Sequence, residues 1–154
     1  MNYYKLAKRK IHTALTLSRG DWSILVKAWV WLLEIDLLLR SRPFPSVRKF
    51  VETKHPLEQQ PSSTRAWEII RRDQHLVLLA ARNHLYTMGC LRQALTLKGL
   101  LGAQGIPTEL RFGARKEADQ LLAHAWLDYD GQSIELAHNG KEAYKPLTTL
   151  SEKP

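Results

Sequence analysis

Three observations predict an α+β fold. Helical periodicity runs through the first two thirds of the chain, Gly105-Ile106-Pro107 stops it, and an alternating segment from His124 to Tyr129 follows, closed by Asp130-Gly131. Helices first and strands after read as a helical layer packed on a small antiparallel sheet.

Residues 2–18 read as a basic helix ending near Gly20, and Asp21 is the expected N-cap of a second helix running to about Arg40. That second helix is apolar almost all round and therefore has to pack on more than one side. Lys27, Glu34 and Asp36 interrupt it. A membrane span needs about 20 mostly apolar residues with few or no charges, so a buried or partner-facing helix is expected, with membrane-surface contact as the other option. Pro43 and Pro45 break the pattern before a short helix from Ser46 to about Thr53. Lys54 to Ser63 has the composition of a loop and is the candidate linker.

Thr64 to about Tyr86 reads as a long helix capped by Ser63 or Thr64. Gly89 allows a turn before a helix from Cys90 to about Ala103. Leu91, Ala94, Leu95, Leu97, Leu100 and Leu101 make that helix apolar over more than half its circumference, so it belongs at the centre. Thr108 to Phe112 alternates as a strand leading to Gly113, and residues 114–121 read as a loop or one helical turn. Asp-Gly between alternating runs is the strongest short hairpin signal, so His124–Tyr129 pairs with Gln132–Ala137. A short edge strand is expected near Leu147–Leu150. The whole, 1–154, reads as one domain, with N-terminal helices over 1–54 and a core over 64–150.

Composition narrows the function classes. Hydrophobic residues make up 44% and charged residues 25% of the 154, as in folded globular chains. The net charge of +8, with a pI near 9.8, suits an acidic peptide or an anionic surface. Nucleic acid is not expected as a partner, because no Lys/Arg run is interleaved with aromatics. Met1 to Arg19 carries no apolar run of the signal-peptide kind. The single cysteine rules out an internal disulfide and, with no targeting signal, points to a reducing cytoplasm. No CxxC, paired-histidine spacing or glycine-rich phosphate loop is present, so no metal or cofactor is expected.

That lone cysteine, Cys90, opens the apolar helix, and His124 lies downstream on the clearest strand. The thiolate is the nucleophilic form of cysteine, and a helix N-terminus offers partial positive charge and open N–H donors that favour it. A strand-borne histidine is a base for such a thiol. His75 and His84 lie on the long helix, and His12 and His55 in basic or loop surroundings; these read as structural or surface residues. With a two-residue turn, Tyr129 faces Gln132, Trp126 faces Glu135 and His124 faces Ala137. His124, Trp126 and Glu135 then share one face, with Glu135 diagonal to His124 at roughly 7–8 Å between backbones. Glu135 is thus a candidate to orient the imidazole, and Asn139 is the other diagonal. Asp128 shares the face but lies roughly 13 Å along the strand. A three-residue turn would move Glu135 off that face.

The run Cys90-Leu91-x-x-Ala94-Leu95-x-Leu97-x-x-Leu100-Leu101-x-x-x-Gly105-Ile106-Pro107, with the strand to Gly113 and then Ala123-His124-Ala125-Trp126, resembles the lasso-peptide biosynthesis leader peptidases. These are transglutaminase-like cysteine proteases. The resemblance covers about residues 88–137, with the helical half similar in character. It implies a transglutaminase/papain-like core in which Cys90 is the nucleophile, His124 the base, and the Cys90 N–H part of the oxyanion hole. It further implies removal of the leader from a ribosomally made precursor peptide before a separate ATP-dependent cyclase closes the ring. The chain looks like the stand-alone form, which needs a separate leader-recognition protein. The family usually carries an aspartate shortly after the hairpin turn, where this chain has Glu135-Leu136. Another acyl-transfer enzyme of the same fold, such as a transamidase, and a non-enzymatic peptide-binding adaptor are the alternative readings.

Overall fold

A computed structural model describes residues 17–53, 61–117, 120–136 and 145–146. The basic helix expected over 2–18, most of the expected loop 54–63, Asn139 and the edge strand expected near Leu147–Leu150 fall outside those residues wholly or nearly so. Among the described residues, four helices precede a four-stranded antiparallel sheet: α1 (Arg19–Ser41), α2 (Phe44–Thr53), α3 (Ser63–Arg82), α4 (Cys90–Gly102), then β1 (Glu109–Glu117), β2 (Gln120–Tyr129), β3 (Gln132–Ile134) and β4 (Lys145–Pro146), in the order β3-β2-β1-β4. The α+β expectation holds.

Helix α1 starts three residues earlier than an N-cap at Asp21 implies. Ser18 is the N-cap, and its hydroxyl accepts the Asp21 N–H at 3.1 Å while the Asp21 carboxylate accepts the Ser18 N–H at 3.1 Å. Asp21 is the reciprocal half of a capping box, not the cap. Those hydrogen bonds from Ser18, with Arg72 nearby, hold its carboxyl below the usual range.

Helix α1 meets three other helices, as its apolar character requires, but it is not covered all round. Ala28, Leu32, Ile35 and Asp36 are buried, but Trp22, Val26, Val30 and Leu37 are 43–57% exposed. The helices α2, α3 and α4 all meet α1 from the buried side, so its apolar surplus faces outward. Pro45 also lies inside a helix, because α2 begins at Phe44. A first-turn proline forfeits only an N–H that has no helical partner there.

Helix α3 ends at Arg82, before the expected Tyr86, and His84 instead stacks on Trp29 of α1 with ring centroids 4.5 Å apart. Helix α4 is the centre of the layer, with Ala94, Leu95, Thr96, Leu97, Gly99, Leu100 and Leu101 all buried. Gly99 permits the close approach of α1: a Cβ there would fall 1.9 Å from the Trp31 ring. Two arginines share the buried Asp36 carboxylate, Arg92 of α4 at 2.5 Å and Arg40 at 2.9 Å. Burial pushes that carboxyl up, and the two guanidinium hydrogen bonds more than reverse it, leaving it below its ordinary range.

The long β1–β2 hairpin absorbs much of the stretch read as loop or helical turn. Arg115, Lys116 and Glu117 pair with Leu122, Leu121 and Gln120, so backbone pairing overrides a charged sequence that carries no strand signal of its own. The turn after β2 is the two-residue one: Tyr129 pairs with Gln132, and Asp130 and Gly131 have φ of 50° and 73°. Two positive φ values in succession give the I′ geometry that Asp-Gly favours. Strand β3 is shorter than expected, ending at Ile134. Leu110, Leu127, Tyr129, Ile134 and Leu136 pack with Ala94, Leu97 and Leu101 into the core shared by sheet and helices.

Candidate functional site

Cys90 is the first residue of α4 and carries a half-buried free thiol. Gly89 stands at the N-cap in an extended conformation, φ −70° and ψ 172°, and no side chain caps the helix. The first helical hydrogen bond there runs from the Gln93 N–H to the Gly89 carbonyl, so the N–H groups of Cys90, Leu91 and Arg92 precede the ladder. Helical spacing puts Cys90 at the head of the row Ala94, Leu97 and Leu101, the seam that meets the sheet.

Two contacts fix this first turn. The Gln93 amide donates to the Met88 carbonyl at 2.6 Å, bracing the Met88-Gly89-Cys90 approach. Arg92 ties the same turn to Asp36 across the helix layer. Sequence reading passed over both. An amide three residues into a helix signals nothing by itself, and the Asp36–Arg92 pair spans 56 positions.

Helix α4 packs against β2, so the helix of Cys90 and the strand of His124 are neighbours. His124 is buried, with 3% of its surface exposed. Alternation along β2 turns Leu127 and Tyr129 toward the helices and sets His124, Trp126 and Asp128 on the other face. The His124 and Trp126 rings confirm the shared face, lying nearly parallel at 19° with centroids 5.9 Å apart. His124 is therefore built into a polar row of the strand, whereas Cys90 heads an apolar seam.

Asp128 is the hub of that polar row. It accepts from the Trp126 indole N–H at 3.0 Å, from the Ser133 hydroxyl at 3.1 Å and from Arg111 Nε at 3.1 Å. Arg111 also pairs with Glu109 at 2.6 Å. The sequence placed Asp128 on this face but had no means to supply Arg111, which comes from the neighbouring strand 17 residues earlier.

Glu135 lies one residue past the end of the β2–β3 ladder, exposed, and its carbonyl accepts from the Gln74 amide of α3 at 2.6 Å. The expected turn is present, but pairing stops at Ile134 and the chain bends at Leu136, so strand register does not set the Glu135 side chain against His124. Leu136, the second residue of the Glu135-Leu136 pair, is 2% exposed in the apolar core.

A cavity of about 760 Å³ opens between the end of α3, the segment 84–88 and the first turn of α4. Gln74, Leu78, Met88, Gln93, Glu135 and Leu136 are among its walls; Cys90 and His124 are not. Its size is that of ordinary ligand pockets. Among the described residues, no group of three or more His, Cys, Asp or Glu side chains could hold a metal, and no helix is long and apolar enough to cross a membrane.

The profile of the transglutaminase-like superfamily matches residues 29–149, from within α1 to beyond β4. No curated protein and no solved structure matches the chain.

Proposed function

The chain belongs to the transglutaminase-like superfamily, which includes cysteine proteases and transglutaminases, and from that premise we propose that it is a cysteine peptidase acting on the leader of a ribosomally made lasso-peptide precursor. One observation carries the reading: the lone thiol opens an uncapped, buried central helix that lies against the strand bearing His124. Residues 88–137, which carry the resemblance to the leader peptidases, lie inside the matched region.

In the proposed reaction His124 takes the Cys90 proton and Sγ attacks the scissile carbonyl carbon. The resulting oxyanion is held by the Cys90 N–H, which precedes the helical ladder. Collapse breaks the peptide C–N bond, and His124 gives its proton to the leaving amine. Water then cleaves the thioester, with His124 accepting the water proton and returning it to Sγ as the carboxylate leaves. Strand alternation sets His124 on the face of β2 away from the helices, so this transfer requires the His124 row and the Cys90 turn to come onto one side of the strand in the substrate complex. Glu135 is the proposed acid partner of His124, and it must turn inward from its exposed position to serve. Leader delivery falls to a separate recognition protein, ahead of an ATP-dependent cyclase, and a thiol that must stay reduced suits the cytoplasm.

The test is incubation of the protein and a leader-recognition partner with a lasso precursor, followed by mass spectrometry of the products. Cleavage is expected with the native chain and absent with Cys90→Ala or His124→Ala. Native-like cleavage by either variant rejects the mechanism. Unchanged cleavage by Glu135→Gln removes Glu135 from it and leaves the rest standing.

A further inference from the structure

We propose that Asp128 is a positioning residue for His124, acting through the indole of Trp126. The proposal rests on the reading of His124 as the base of a Cys90 nucleophile. It concerns how the imidazole is held, which neither the family match nor the resemblance assigns.

The geometry is a relay of three side chains on one strand face. A base needs a fixed ring plane, because proton transfer depends on the direction of the ring nitrogen. His124 lies nearly parallel to the Trp126 indole, at 19° and 5.9 Å between centroids. Trp126 in turn has its N–H tied to Asp128 at 3.0 Å, which fixes the rotation of the indole about its own side-chain bonds. Asp128 is held from two further directions, by Ser133 of β3 and Arg111 of β1. The anchor is thus bound to three strands, and the ring it anchors is only 6% exposed. An indole face also favours a cation, so the stack stabilises the imidazolium that exists between deprotonation of the thiol and protonation of the amine.

The charged groups around this row, among the described side chains, are few. From β1 come Arg111, across from Trp126, and Glu109, across from Asp128; Gly113, directly across from His124, brings none. Asp128 is the acid of β2 itself, Ser133 of β3 is uncharged, and Glu135 follows the end of that strand. Glu109 and Asp128 both pair with Arg111, so loss of Asp128 leaves that cation partnered by Glu109.

The experiment follows the His124 ring proton by NMR through a pH titration of the intact chain, assigned with His124→Gln. Asp128→Ala, Asp128→Asn, Trp126→Phe and the Asp128→Ala/Trp126→Phe double variant are compared. Asn keeps an acceptor for the indole N–H and loses only the charge. Asp128→Ala and Trp126→Phe are each expected to lower the His124 midpoint by about half a pH unit, the scale of a partly buried cation–aromatic contact. The double variant should shift no further than either single, as for residues acting in one relay. Asp128→Asn should stay near the native midpoint.

A shift with Asp128→Asn as large as with Asp128→Ala means direct charge action and overturns the relay. So do additive effects in the double variant, or no shift in any. The pH profile of Cys90 alkylation by iodoacetamide, read on the same variants, reports the other question. If His124→Gln leaves that profile unmoved, the Cys90–His124 pairing fails, while the NMR series still decides the relay.

Discussion

The two faces of β2 are made from alternate residues of one strand, and both are buried, yet for different reasons. Leu127 and Tyr129 turn to the helices and are covered by apolar packing from α3 and α4, including a Trp67–Tyr129 edge contact at 5.4 Å. His124, Trp126 and Asp128 turn the other way into a row of hydrogen bonds and stacked rings. Burial on the first face is a matter of area and volume; on the second it holds particular atoms in particular directions. A change on one face should therefore register as stability and on the other as reactivity.

The sharpest way to break that contrast is to truncate one residue of each face. His124→Ala should slow peptide cleavage by a factor of about 10² to 10⁴, the usual worth of a general base, and leave the cooperative unfolding transition in place. Leu127→Ala should cost about 2–5 kcal/mol in chemical denaturation, as for fully buried leucines. If the Leu127→Ala protein keeps full stability while losing its reaction, the division between the faces is wrong.

The helix layer behind the apolar face offers a test of steric fit. Gly99→Ala places a methyl group within the Trp31 ring, and the ring cannot stay where it is. Overpacking of this kind costs about 1–3 kcal/mol, readable as a lowered thermal midpoint. A native midpoint for Gly99→Ala means that α1 does not sit against α4 at this distance.

A smaller effect is expected at the hairpin turn that sets the strand register. At Gly131, φ is +73° and nothing lies within 4 Å of an added Cβ, so Gly131→Ala introduces backbone strain without a clash. The loss should be about 1 kcal/mol in denaturant unfolding. A gain in stability would place the turn in another geometry.

The mildest probe is pH, and it separates two buried aspartates of the helix layer. Burial pushes the Asp73 carboxyl up, against hydrogen bonds from Gln104 and Arg72, whereas Asp36 is held low by its two arginines. A lowered carboxyl supplies stability above its unfolded range that is lost as pH falls through its folded value. A raised one has the opposite slope, with stability lost as pH rises through its folded value. Between pH 3 and 7, Asp73→Asn should gain on the native chain in urea midpoint, and Asp36→Asn should fall behind it. Parallel curves for the two variants refute the assignment.

Local physics made much of this molecule readable. Gly105-Ile106-Pro107 stops a helix because of what those residues permit, and Asp130-Gly131 turns a hairpin for the same reason. Cys90 at a helix start, with apolar residues at helical spacing behind it, needed no knowledge of neighbours. The alternation that puts His124, Trp126 and Asp128 on one face was legible too, since a strand repeats every two residues.

Tertiary structure decided what each face meets. Only the packing of α2, α3 and α4 against one side of α1 left Trp22, Val26, Val30 and Leu37 outward. Only the approach of Trp31 gives Gly99 its role, and only Arg111 and Ser133 make Asp128 an anchor rather than one more strand charge. The end of the ladder at Ile134, which leaves Glu135 outside the register its turn implied, is likewise set by the docking of Gln74 from α3 and the burial of Leu136. The period of a helix or strand is a property of the backbone and is written locally. The partner of a side chain lies tens of residues away, and folding alone brings the two together.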